Sequence, residues 1–218
     1  MHDIRYVLWD HDDTLLSTFE LRARAAAHAA RAVFGREVDG GELLRASHGK
    51  SLEVFAGQLG GDDADPQAFV AAYRDYYYTR NDTGLEVYAG IADVLAALGE
   101  RGIKMGVVTA KLGKGARQEL EIVGLRECFE IVVGAEDAAR AKPYPEPFVK
   151  AMSALGANAQ QTLMIGDTPA DVAGARAAGV RVAAALWGSS DPAAVKAAAP
   201  DHCLTQPEAV LALVSADR

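Results

Sequence analysis

Residues 7–18 read VLWDHDDTLLST. The apolar run Val7-Leu8-Trp9 ends abruptly on three acids within four positions, Asp10, Asp12 and Asp13. A short continuous apolar run reads as a strand buried on both faces, the pattern of a parallel sheet. Like charges crowded at its end repel unless a cation stands among them. The stretch therefore predicts a buried parallel strand and, at its carboxyl end, a site that gathers positive charge.

Working outward, further apolar runs of strand length occur at Lys104–Val108, Glu130–Val133, Thr162–Ile165 and Val180–Leu186, with a weaker one at His202–Leu204. Helical patterns separate them: Ile91–Glu100, Lys114–Val123, Pro147–Leu155, Pro169–Ala178 and Pro192–Ala198. Asp191 and Pro192 suit the N-cap and first position of the last helix, and Gly102, Gly124, Gly156 and Gly179 fall where helices end. Alternating strand and helix predict an α/β fold, a doubly wound, Rossmann-like parallel sheet. Residues 17–87 break the rhythm with helix after helix: Phe19–Phe34, Gly41–Ala46, Leu52–Leu59 and Pro66–Arg80. This segment is too long for a crossover. It reads as an inserted α-helical cap, with residues 1–16 and 88–218 forming the core.

The bulk numbers limit the function classes. The chain has 218 residues, half of them hydrophobic, and a net charge of −8. That balance argues against a nucleic-acid partner. No apolar stretch approaches the ~18 residues of a membrane span, and the N-terminus lacks a signal-peptide pattern. The expectation is a cytoplasmic protein, monomer or homodimer, without a membrane partner. Cys128 and Cys203 match no metal-ligand spacing and read as reduced thiols in or near the core.

In a doubly wound sheet, ligands bind beyond the carboxyl ends of the strands. The polar residues there are Asp10, His11, Asp12, Asp13 and Thr14 after the first strand, and Thr109 and Lys111 after the second. Lys142 stands in AKPYPEPF, and Gly166, Asp167 and Asp171 in IGDTPADVAGARAAG. Paired carboxylates, a hydroxyl and a lysine at one edge suit phosphoryl transfer through magnesium, a hard ion that prefers oxygen donors. A carboxylate can serve as nucleophile, a second as general acid and base, and lysine and hydroxyl can hold the charged oxygens.

The phrases WDHDDTL, GVVTAK, Lys142 with its proline-rich follow-on, and GDTPAD stand in order along the chain. In this the chain resembles haloacid dehalogenase-superfamily phosphatases with a helical cap. The resemblance implies that Asp10 is the nucleophile and Asp12 the general acid and base. It implies Thr109, Ala110 (through its backbone amide) and Lys142 as phosphate-binding residues. Asp10, Asp12 (through its carbonyl), Asp167 and Asp171 would be the Mg2+ site, Asp171 by holding the direct ligands or through a water. The acid at Asp12 favours phosphate-ester hydrolysis over the dehalogenase and phosphonate-cleaving branches.

The insertion would act as a lid over a small phosphorylated substrate. LLRASHGKSLEVF, residues 43–55, is the candidate specificity loop, with Arg45, His48 and Lys50; His11 is a further candidate for substrate or cap contact. Tyr76, Tyr77 and Tyr78 read as packing residues of the cap. VTAK, VGLRECFEIVVGAEDAARAKPYPEPF and LWGSSDPAAV are similar to phosphoglycolate phosphatase-like proteins. The alternatives are a pyrophosphatase, a sugar-phosphate phosphatase or a phosphomutase of the same superfamily. In a different class stands a receiver-like, phospho-accepting signalling module.

Overall fold

The first apolar run forms strand β1, Tyr6–Trp9, at the centre of a six-stranded sheet in the computed structural model. The structure describes residues 3–47, 52–61, 65–80 and 84–214. With β4 (Lys104–Val108), β5 (Ile131–Val133), β6 (Thr162–Gly166), β7 (Arg181–Ala185) and β8 (His202–Leu204), the order is β5-β4-β1-β6-β7-β8. All the pairings are parallel. Val7, Leu8, Trp9, Val107, Val108, Met164 and Ile165 are fully buried, which is why these strands read as unbroken apolar runs. The connecting helices are α5 (Ile91–Glu100), α6 (Gly113–Ile122), α7 (Glu146–Leu155), α8 (Pro169–Ala177) and α9 (Pro192–Ala197). Asp191 caps α9 by accepting from the Ala194 amide at 3.0 Å, and Gly156 ends α7 in the left-handed conformation at φ 65°. The doubly wound sheet expected from the sequence is present.

The chain divides into two compact units, Met1–Ser17 with Glu86–Arg218, and Thr18–Leu85. These limits differ from the expected 17–87 because Leu16–Ser17 (β2) and Glu86–Val87 (β3) pair as a short antiparallel ribbon that belongs to the core. In the helical unit, α1 (Phe19–Phe34) and α4 (Pro66–Tyr78) pack with α2 (Gly40–Ser47) and α3 (Leu52–Gly60). The contact is built from Leu21, Ala25, Ala26, Ala29 and Ala30 against Phe69, Tyr73 and Tyr77. Small alanines on one helix let large rings on the other approach closely. Tyr76 and Tyr78 lie partly buried against this cluster. Among the described residues no helix is long and apolar enough to cross a membrane. Both cysteines are free, but Cys203 is exposed rather than near the core, because β8 is the sheet's edge strand.

The turn after β1 is shaped by a second loop. Asp13 sits in the left-handed region at φ 60°, a conformation that Asp tolerates better than most residues. Its amide donates to the Leu16 carbonyl at 2.7 Å. Trp187 donates its indole N–H to the Thr14 carbonyl at 3.0 Å. A Cβ at the next residue, Gly188, would stand 1.8 Å from the Asp13 carbonyl oxygen, so only glycine fits there. Gly188→Ala is expected to cost about 1–3 kcal/mol by forced repacking of this turn. Thermal denaturation checks this, and an unaltered midpoint would count against the close approach.

Candidate active site

Register brings the strand ends together. Trp9 is level with Val107 on one side and Ile165 on the other. Asp10 therefore emerges between Thr109, two residues beyond Val107, and Asp167, two beyond Ile165. The chain leaves β5 at one edge and returns at β6 on the other side of β1, so this crevice is the topological switch point.

Lys142, from the segment before α7, reaches into the same place. Its ammonium lies 2.8 Å from Asp10 Oδ1, and it donates to Asp171 Oδ1 at 2.6 Å and to the Val108 carbonyl at 3.0 Å. Asp171 stands at the start of α8, where Thr168 is the N-cap. The two form a capping box, with Asp171 Oδ2 accepting from the Thr168 amide at 3.1 Å and its hydroxyl at 2.6 Å. One carboxylate thus both starts a helix and anchors the lysine. At Gly166 a Cβ would meet the Asp171 Cγ at 2.5 Å, so glycine there is what allows that approach. Thr14 donates its hydroxyl to Asp167 Oδ1 at 3.0 Å.

Burial makes these charges strong. It pushes the Asp10 carboxyl up from 3.8 to about 6; Lys142 opposes the rise and the Asp171 charge adds to it. Burial disfavours the Lys142 ammonium, yet attraction to Asp10 and Asp171 outweighs it and holds this lysine above the ordinary range. Asp10, Asp167 and Asp171 offer carboxylate oxygens that all lie within 4.8 Å of one another, and all three residues are buried. Three carboxylates against one ammonium leave excess negative charge among hard oxygen donors. That donor set fits a divalent cation.

Thr109 is buried, and its hydroxyl accepts from the Lys111 amide at 3.1 Å, while Ala110 between them is exposed. Asp12 is partly exposed and receives the Lys111 ammonium at 2.9 Å on Oδ1. His11, a candidate for substrate contact, is instead fully buried between Asp12 and Glu119. Arg45 lies exposed on α2, its guanidinium 5.5 Å from the Phe19 ring centre. His48 and Lys50 lie outside the described residues. The sequence reading missed Glu119, a charged residue on the buried stripe of α6 beside Ala116 and Leu120. A carboxylate in an apolar helical stripe was the available signal.

The switch-point crevice brings buried carboxylates and a lysine together, a donor set that suits phosphoryl transfer. The sequence profile of the haloacid dehalogenase-like hydrolases matches residues 7–185, and the chain belongs to that family. It is 31% identical over 202 residues to pyrophosphatase PpaX of Halalkalibacterium halodurans, covering 93% of each chain. Its fold superposes on that of a predicted phosphoglycolate phosphatase from Haemophilus somnus with a TM-score of 0.88, at 21% identity over 98% of this chain and 99% of that one. A predicted phosphatase from Clostridium acetobutylicum gives a TM-score of 0.82 at 24% identity, covering 97% and 99%. The receiver-like alternative falls with the family assignment.

Proposed function

We propose that the protein is a magnesium-dependent phosphatase that cleaves a small, phosphoglycolate-like phosphomonoester in the cytoplasm through an aspartyl-phosphate on Asp10. The observation that carries this reading is the buried Asp10–Lys142–Asp171 arrangement at the switch point, with Asp12 two residues from the nucleophile. The Asp10 carboxylate attacks phosphorus and the bond to the leaving oxygen breaks. Asp12 gives that oxygen its proton. Asp12 then takes a proton from water, whose oxygen attacks the phosphoaspartate and frees Asp10. Lys142, the Thr109 hydroxyl and the Ala110 amide hold the phosphoryl oxygens. Asp10, Asp167, the Asp12 carbonyl and, through water, Asp171 would hold Mg2+, which supplies positive charge against the phosphoryl oxygens.

The similarity to the PpaX relative favours a second reading, in which the substrate is inorganic pyrophosphate. The two readings share the site and differ in the leaving group. Steady-state kcat/KM for 2-phosphoglycolate and for pyrophosphate, with magnesium and after chelation, separates them. The expected result is a loss of about 100-fold or more on chelation, reversed by Mg2+, with phosphoglycolate the better substrate. A reversed ranking selects the pyrophosphatase. Undiminished turnover of both substrates in excess chelator would overturn the metal-dependent mechanism.

A further inference from the structure

Lys111, Glu119, His11 and Asp12 form a second buried charge cluster beside the first. The Lys111 ammonium donates to Glu119 Oε2 at 2.6 Å and to Asp12 Oδ1 at 2.9 Å. The His11 ring is fully buried, with Nδ1 3.4 Å from Asp12 Oδ1 and Nε2 3.6 Å from Glu119 Oε2. Neither ring nitrogen makes a hydrogen bond among the described residues, and neither does Glu119 Oε1. Burying a carboxylate and an imidazole so poorly satisfied is costly. The fold does not require it: an apolar residue at position 119 would continue the stripe made by Ala116 and Leu120.

What the cluster touches is the Asp12 carboxyl. Resting on the phosphatase reading, we infer that Glu119 and His11 are positioning residues that hold Asp12, through Lys111 and through ring contact, for proton transfer to the leaving group. Glu119 pins the lysine through the 2.6 Å bond to its Oε2. The pinned ammonium fixes one Asp12 oxygen by a charge-assisted hydrogen bond. The His11 ring fills the space between the two carboxylates and limits how far Asp12 can swing. Proton transfer depends steeply on such placement, since small displacements lose the aligned geometry. The same His11, Asp12 and Glu119 atoms lie within 4.8 Å of one another, as metal ligands would. Here the Lys111 ammonium already bonds two of the three, so the cluster carries its own cation.

The test uses the leaving group as the readout. An alkyl phosphate such as glycerol phosphate needs a proton on its departing oxygen, whereas 2,4-dinitrophenyl phosphate does not. Single-turnover phosphorylation rates with Mg2+ present isolate the first step for both esters. Glu119→Gln is expected to lower the alkyl rate about 10- to 100-fold, at least ten times more than the dinitrophenyl rate. In an Asp12→Asn background it should add little further loss on the alkyl ester. His11→Ala, which empties the space between the two carboxylates, carries the same expectation if Glu119→Gln does not fold. Equal losses on the two esters, or full additivity with Asp12→Asn, would overturn the inference and leave the phosphatase reading standing, provided Asp12→Asn itself discriminates between the esters. If Asp12→Asn does not discriminate between the esters, Asp12 is not the proton donor and the inference fails with that role. If the wild type hydrolyses neither ester, the phosphomonoester reading and the inference fail together and pyrophosphate turnover selects the pyrophosphatase.

Discussion

Asp10→Asn is expected to lose about four orders of magnitude or more in kcat, because an amide oxygen cannot form the acyl-phosphate that splits the reaction into two steps. The fold should survive the change. Burial makes the Asp10 charge expensive, which is why its carboxyl is pushed up to about 6, and a neutral isostere removes that cost. Lys142 keeps Asp171 and the Val108 carbonyl as partners. Activity and melting temperature should therefore part company, the first collapsing and the second staying close to that of the wild type. Phosphate release measured beside thermal denaturation checks both halves. Wild-type turnover in a folded Asp10→Asn protein would remove the covalent mechanism altogether.

Lys142→Met is expected to reverse that separation by damaging stability as well as activity. The ammonium stands 2.8 Å from one buried carboxylate and 2.6 Å from another, with a side-chain exposure of 3%. Removing it leaves Asp10 and Asp171 facing each other in a low-dielectric pocket. Breaking one partner out of a buried ion network costs about 3–5 kcal/mol. For a chain of this size that corresponds to a fall in melting temperature of about 6–20 °C. Loss of a donor to the phosphoryl oxygens should lower kcat about 100- to 1,000-fold. Denaturation should be followed in chelator, so that a divalent cation does not replace the missing charge. The double variant Lys142→Met/Asp171→Leu should regain part of the stability and none of the activity, since it removes an unpaired charge without restoring the donor. A single variant as stable as the wild type would show that the network holds the fold far less tightly than its geometry indicates.

The legible and illegible parts of this molecule divide along physical lines. Strands β4, β6 and β7 could be read because sheet strands covered on both faces leave continuous apolar runs. The start of α9 could be read because Asp191 and Pro192 satisfy and pre-set the first turn locally. The β2–β3 ribbon could not. It pairs Leu16 with Val87 and Ser17 with Glu86, and no period can show in so short a segment. The limits of the helical unit, Thr18–Leu85, differ from the expected 17–87 for that reason. His11 was legible as a member of the strand-end cluster but not as Glu119's neighbour, because the two meet only once α6 packs beside β1's end.

By itself the sequence determined the alternation of strand and helix, the inserted helices, and which carboxylates and lysines stand at strand ends. Each of these follows from burial and hydrogen bonding within a few residues. Only the tertiary structure decided which acid meets which cation: Lys142 with Asp10 and Asp171, and Lys111 with Asp12 and Glu119. Charge pairing depends on distance in space and on burial, and both are set by strand register and helix docking, not by separation along the chain.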